Sequence, residues 1–473
     1  MRTSTKKDKM TVEQLYTNCL SEAAYFITSN GEAAVIDPLR DYQTYIDKAD
    51  KAGVKIKYVF ETHFHADFVS GHIDLAAKTG AQIIYGPNAK TDYKIYEARD
   101  GEKFKIGTCE IEVLHTPGHT PESSCYLLND EEGQPYSVFT GDTLFVGDVG
   151  RPDLFGVKIS KEELAGMLYD SLNNKIKKLD DAVIVYPAHG PGSSCGKNLG
   201  KETFSTIGEQ KKMNYALKEM NREEFIKEIT SGLSAPPAYF PLNAQINKKG
   251  YSSLDEIMNR NLKSLSVDEF ENEIKNKALV LDTRNPEEFE NGFVKGAINI
   301  GLNGRFAEWV GTLININQPL LIVAEEGKEE ESILRLARVG YENVKGYLKG
   351  GYNSWMTAGK SLDMVLTIDA EEFELDMKHE KDIVVVDVRK ESEYDAGHIE
   401  NAENCVLQNF DTSISDLNFS DRLYVHCQAG YRSMIAASIL KRKGFDKVKN
   451  IKGGYLEIVK QGIPVEISQP ELN

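Results

Sequence analysis

Cysteine is scarce in this chain. Six occur in 473 residues, at 19, 109, 125, 195, 405 and 427, with no Cys-x-x-Cys pair. So few scattered thiols in so long a chain make neither a disulfide scaffold nor a set of zinc fingers, and the thiols are expected to be reduced. Long apolar runs are also missing. None approaches the ~20 residues of a membrane-spanning helix, and the charged N-terminus lacks the apolar core of a secretory leader. Positive charge is the minority sign, with 56 Lys and Arg against 73 Asp and Glu, a net −17. That balance excludes the electrostatic footprint of a nucleic-acid binder and would be repelled by an anionic membrane. Together these absences point to a cytoplasmic protein acting on small molecules, with no nucleic acid and no membrane as partner.

What is present suffices for ordinary cores: 41% of residues are hydrophobic, and the length suggests about three domains. Two apolar runs at 23–27 and 33–36, separated by Gly31, read as a β-hairpin. A helix is expected near 42–53 and another at 71–79. Further strands are expected at 82–85, 109–114, 124–128, 137–139 and 182–186. The region 209–229 reads as helical. Beyond it the prolines at 236, 237 and 241 interrupt the chain, and a linker is expected over 246–261.

The densest chemistry lies in Thr62-His63-Phe64-His65-Ala66-Asp67-Phe68, between a β-forming run and a helix. Two histidines and an aspartate at spacing two, on a loop where a strand ends, are a metal-site signal. Matching groups stand at later strand ends: His119 in His115-Thr116-Pro117-Gly118-His119, Asp142 after Thr140-Gly141, and His189 after Pro187-Ala188.

The last two hundred residues repeat. Val280-Leu281-Asp282-Thr283-Arg284 matches Val385-Val386-Asp387-Val388-Arg389, and Lys349-Gly350-Gly351-Tyr352 matches Lys452-Gly453-Gly454-Tyr455. An offset of about 103–105 residues is too long for a solenoid unit and suits two copies of one α/β domain. In the second copy a strand ends in Cys427-Gln428-Ala429-Gly430-Tyr431-Arg432 and a helix follows. A thiol at a strand-to-helix turn faces free backbone N–H groups and the positive end of a helix dipole, and Arg432 adds a full charge. Such surroundings favour a reactive thiolate and an anion bound to it.

These residues carry two resemblances. The Asp387-Val388-Arg389, Gly397-His398-Ile399, Cys427–Arg432 and Gly453-Gly454-Tyr455 series resembles the rhodanese family of sulfurtransferases, in copies over 262–360 and 366–466. The resemblance implies that Cys427 carries sulfane sulfur and that Arg432 clamps an anion. The first copy is expected to be inactive: Glu325 is read at the cysteine position, and Phe293 where the second copy has His398. A non-catalytic repeat suits an assembly or docking role, homo-oligomer formation included.

The series His63-x-His65-x-Asp67, His119, Asp142 and His189 resembles the metallo-β-lactamase superfamily over 10–245. The implied architecture is multidomain α/β, an αββα sandwich followed by two α/β rhodanese domains. Many members hold two zincs, using a histidine after the aspartate; here that position is Phe68. One site of His63, His119 and Asp142 is then a two-imidazole, one-carboxylate set of the kind that holds non-haem Fe(II), with His65, Asp67 and His189 around it. The segment from Gly141 to Leu154 resembles the persulfide dioxygenase branch. It implies one Fe(II) per dioxygenase domain, Arg151 facing a substrate carboxylate, and Cys195 near the metal as a holder or relay of sulfur. The implied partners are a low-molecular-weight thiol persulfide, O₂ and sulfite. The alternatives are a dinuclear zinc thioester hydrolase of the glyoxalase II type fused to a sulfurtransferase, and a persulfide sensor whose metal is structural.

Overall fold

A computed structural model describes residues 9–155, 159–233, 235–380 and 382–467. The chain divides into two compact units, Met1–Ile257 with Leu336–Tyr341, and Met258–Arg335 with Glu342–Asn473. Among the described residues no helix is long and apolar enough to cross a membrane.

Two six-stranded sheets form the first unit. One runs Thr11–Thr17, Glu22–Ser29, Glu32–Ile36, Lys55–Glu61, Gln82–Tyr85 and Tyr96–Glu97. Its hairpin turns at Asn30-Gly31, both at positive φ (45° and 81°), a turn whose twist matches that of the strands. From Glu32–Ile36 onward the strands are parallel, so the helices Gln43–Ala52 and His72–Thr79 cross over between them. The second sheet runs Lys103–Ile106, Cys109–His115, Ser124–Asn129, Pro135–Gly141, Ile184–Pro187 and Ser205–Thr206.

Strand alternation builds the core. Ala23, Tyr25 and Ile27 meet Phe104, Ile111, Val113, Tyr126, Leu128 and Phe139 in one buried cluster between the sheets. Residues of opposite parity on the second sheet, Cys125, Leu127, Val138 and Val185, pack on Leu168 and Leu172 of the helix Lys161–Asn174 and on Phe225 and Ile229 of the helix Arg222–Thr230. Each fully buried side chain of this size contributes roughly 1.5–3 kcal/mol. Helix, two sheets and helix make an αββα sandwich.

Two expectations change here. The helical region 209–229 is broken into Ile207–Met213 and Arg222–Thr230. Buried Asn214 lies at the break and donates to the carbonyls of Phe145 (3.2 Å) and Asp148 (2.9 Å). The span 246–261, expected as a linker, holds the end of the helix Phe240–Lys249 and the helix Leu254–Asn261. Pro241 sits in that helix's first turn, where its missing N–H costs nothing. Buried Asn247 donates to the carbonyls of His65 (2.8 Å) and Phe68 (2.7 Å) and accepts from the Ser70 N–H (2.9 Å). The span up to Ile257 therefore belongs to the first unit, where Asn247 pairs backbone groups of the histidine loop that burial would otherwise leave unsatisfied.

The second unit contains the repeat, as two five-stranded parallel sheets of one order. The first is Ser264–Leu265, Val344–Leu348, Leu320–Val323, Leu279–Asp282, Ile298–Asn299. The other is Leu366–Ile368, Val448–Ile451, Arg422–His426, Ile383–Asp387, Glu403–Asn404. Each repeat is locked by the same contacts. Arg284 pairs with Asp282, donates to the Gly292 carbonyl and lies over the Tyr352 ring; Arg389 does so with Asp387, Gly397 and Tyr455. Asn299 and Asn404 each donate to two carbonyls of their own Asp-x-Arg segment. Phe293 stacks on Phe289 as His398 stacks on Tyr394. The repeated residues are thus a frame, and His398 belongs to it.

Strand register corrects the reading of the first repeat. Asp282 pairs with Val323, and Asp387 with His426. Ala324, not Glu325, therefore occupies the Cys427 position; Glu325 lies one residue on and accepts from the Asn285 amide at 2.8 Å.

Candidate metal centre and sulfur-transfer loop

His63, His119 and Asp142 come together although 79 residues separate the first from the last. One ligand atom from each lies within 4.8 Å of the others, and all three side chains are buried. Nε2 of His63 is 3.8 Å and Nε2 of His119 is 3.5 Å from Oδ2 of Asp142. The opposite ring nitrogens fix the tautomers. His119 Nδ1 is 2.9 Å from the Arg151 carbonyl, so it must donate. His63 Nδ1 is 2.9 Å from Thr62 Oγ1, whose proton goes to Asp37 at 2.8 Å, so His63 Nδ1 donates as well. Both Nε2 lone pairs are left facing Asp142.

Electrostatics agree with a cation-binding set. Burial, then the neighbouring His65 imidazole, holds the His63 pKa well below its ordinary value, and burial likewise lowers that of His119. Burial alone would raise the Asp142 pKa, but the charged His189 holds it well below the carboxylate range. Asp142 Oδ2 is buried with no hydrogen-bond partner among the described residues. Neutral imidazoles, an ionised carboxylate and an orphaned oxygen are what a divalent cation would satisfy.

A second group lies beside it. His189 is held between Asp67 (2.8 Å) and Asp142 Oδ1 (2.8 Å). Burial opposes its charge, yet the Asp142 and Asp67 carboxylates raise its pKa well above the ordinary value. Cys195 joins Asp67 and His189 with ligand atoms within 4.8 Å. Burial, then the Asp67 and Asp142 charges, push the Cys195 thiol well up, so it is protonated. Phe68, fully buried, lies 4.4 Å from the His65 ring.

His65 itself turns one nitrogen outward from this centre. Its Nε2 is 3.1 Å from Asp37 and 3.6 Å from Glu61, while Nδ1 is buried without a hydrogen-bond partner among the described residues. Arg151, expected to face substrate, is already committed: Nε and Nη2 donate to Asp153 at 2.6 and 2.7 Å. Its backbone N–H donates to the Cys195 carbonyl at 2.9 Å, so it braces the thiol loop. Sequence reasoning missed Asp37, Glu61, Thr62 and Glu22. Glu22 is buried with both carboxylate oxygens unpartnered among the described residues. A lone carboxylate immediately before the apolar run 23–27 was the available signal.

In the second unit Cys427 follows the strand Arg422–His426, and Gly430 opens the helix Tyr431–Lys443 at φ 105°. The Gly430 N–H donates to Cys427 Sγ at 3.1 Å. Gly454 lets the backbone approach: a Cβ there would lie 2.2 Å from the Cys427 carbonyl, which accepts from the Tyr455 N–H at 2.7 Å. Arg432 is not a free clamp. It forms a two-point pair with Glu393 at 2.6 and 2.7 Å. In the first repeat Glu329 and Glu288 stand at those two positions, so both partners are acidic.

Comparison with known proteins agrees with both folds. Residues 17–189 match the metallo-beta-lactamase superfamily, and 266–358 and 369–461 each match the rhodanese-like domain. The human protein named Persulfide dioxygenase ETHE1, mitochondrial, is 31% identical over 213 residues, 43% of this chain and 73% of the relative. The Schizosaccharomyces pombe protein named Probable hydroxyacylglutathione hydrolase glo2 is 30% identical over 188 residues, 39% of this chain and 69% of the relative. The crystal structure of a metallo-beta-lactamase from Staphylococcus aureus superposes with a TM-score of 0.64 at 32% identity, covering 73% of this chain and 99% of that one. On fold, site and sequence the chain belongs to the metallo-β-lactamase superfamily, and two rhodanese-like domains follow its sandwich.

Proposed function

We propose that the sandwich is an Fe(II)-dependent persulfide dioxygenase and that Cys427 carries sulfur for a thiosulfate-forming sulfurtransferase, together disposing of sulfide and persulfide. Phe68 is the observation that carries the first half. It stands, buried, where the superfamily resemblance places a histidine ligand of a second metal, beside His63, His119 and Asp142, a two-imidazole, one-carboxylate set. His63, His119 and Asp142 would hold Fe(II), which would supply the redox chemistry by which a persulfide sulfur is oxidised by O₂. The overall change is R–S–SH + O₂ + H₂O giving R–SH, sulfite and two protons. Thr62 and the Arg151 carbonyl keep both imidazoles turned inward, and the His189 proton holds Asp142 by its other oxygen.

The Cys427 thiolate attacks the terminal sulfur of another persulfide; R–S⁻ leaves and takes a proton. Sulfite then attacks that sulfur, thiosulfate departs and the thiolate returns. The Gly430 N–H stabilises negative charge on Sγ throughout. Carrying both sites on one chain raises the local concentration of sulfite at Cys427.

The Asp67–His189–Cys195 group favours a second reading, a dinuclear zinc thioester hydrolase. Metal analysis and substrate choice separate the two. The dioxygenase binds one iron per chain and leaves a hydroxyacylglutathione thioester intact; two zincs with thioester hydrolysis would establish the alternative.

A further inference from the structure

The helix that starts at the sulfur-transfer loop is docked on the cysteine-less repeat. Tyr431, Ser438 and Arg442 recur at i, i+7 and i+11, one face of Tyr431–Lys443. Arg442 Nη1 donates to the Gly296 carbonyl at 2.6 Å, and Ser438 Oγ accepts from the Asn299 N–H at 3.0 Å. Ile298–Asn299 is the edge strand of the first repeat's sheet, so this face covers backbone groups an edge would leave open. At the catalytic end the Tyr431 hydroxyl donates to the Gly301 carbonyl at 2.7 Å. The ring lies against Gly304, where an added Cβ would fall 2.3 Å from the phenol carbon.

Tyr431 stands between the two residues that define the thiol's surroundings. Gly430 before it holds φ 105°, a left-handed conformation that aims its N–H at Cys427 Sγ. Arg432 after it is fixed on Glu393. A side chain anchored at both hydroxyl and ring fixes the peptide that links them.

We infer that Tyr431 is a positioning residue through which the cysteine-less repeat, seated at Gly301 and Gly304, holds the Cys427 loop in its thiol-facing form, an inference resting on the sulfur-transfer reading of Cys427. The first repeat is then half of the transfer site, although it has no cysteine.

The full-length chain tests this by two readouts: iodoacetamide alkylation of Cys427 across pH, followed by peptide mapping, and sulfur transfer from thiosulfate to cyanide. Tyr431→Phe removes only the hydroxyl. It should raise the alkylation midpoint and lower kcat about three- to tenfold, the worth of one hydrogen bond, with KM for thiosulfate unchanged. Gly304→Ala keeps the hydroxyl, displaces the ring and should raise the midpoint likewise. Ser438→Ala, far along the seam, should lower the thermal midpoint and leave the alkylation midpoint alone. Tyr431→Phe and Gly304→Ala chains that alkylate like the parent would overturn the inference, as would all three variants losing only thermal stability. Because alkylation needs only the thiol, a parent chain that transfers no sulfur would refute the sulfur-transfer reading separately.

Discussion

Gly327 and Gly430 open the same helix in the two rhodanese-like repeats, at φ 82° and 105°. One loop then presents Cys427 and Arg432; the other presents Ala324 with Glu325, Glu326 and Glu329. Around both loops the frame is unchanged: an Asp-x-Arg pair, a glycine carbonyl receiving that arginine, and a tyrosine ring over its guanidinium. The difference teaches that the residues by which such a domain is recognised hold the fold, whereas the chemistry resides in six consecutive positions. A repeat can lose the chemistry and keep its shape.

Six substitutions break or sharpen this contrast. Cys427→Ser should abolish thiosulfate formation, with sulfite accumulating instead, while the thermal midpoint stays near that of the parent. Thiosulfate persisting in that variant would mean another thiol carries the sulfur. Next in size, Arg389→Met and Arg284→Met each remove the arginine partner of a buried aspartate and should cost about 3–5 kcal/mol in denaturant unfolding in both repeats. A cost confined to the catalytic repeat would show the pair is not a shared frame. Third, Ala324→Cys should place a thiol in the first repeat without creating transfer. Its alkylation midpoint should lie about one unit or more above that of Cys427, because the neighbouring carboxylates disfavour a thiolate.

The smallest effect is on pH dependence. Burial would raise the Glu393 pKa, but Arg432 lowers it below the ordinary value. Its contribution is therefore complete above the ~4.3 of unfolded glutamate and is lost as pH falls through the lower folded value. Glu288 is shifted the other way, by burial and then by Glu325, so ionising it costs stability and acid relieves the cost. Glu393→Gln should lower the thermal midpoint at neutral pH and lose that effect in acid. Glu288→Gln should raise the midpoint at neutral pH, a gain that also vanishes in acid. Equal responses would remove the electrostatic part of the contrast.

Much of this was legible in the sequence. The His63, His119, Asp142 and His189 series declared itself because ligand-type residues at strand ends have few other reasons to recur, and the repeat declared itself through its frame. Three features were not legible. The register of the first repeat slipped by one residue because Leu320–Val323 is buried along its whole length, and a strand without polar alternation does not mark its own faces. Asn247 was invisible because its partners, the His65 and Phe68 carbonyls, are backbone groups far away in the chain. Arg151 and Arg432 looked free because sequence counts charges without showing which are already paired; Asp153 and Glu393 take them.

The central claim is that a single iron at His63, His119 and Asp142 serves persulfide oxidation. Oxygen consumption by the anaerobically iron-loaded chain tests it most directly. Uptake should begin only when a thiol persulfide is added, with one O₂ consumed per sulfite formed in the Cys427→Ser background. No uptake with persulfide, in a chain shown to hold iron, would contradict it.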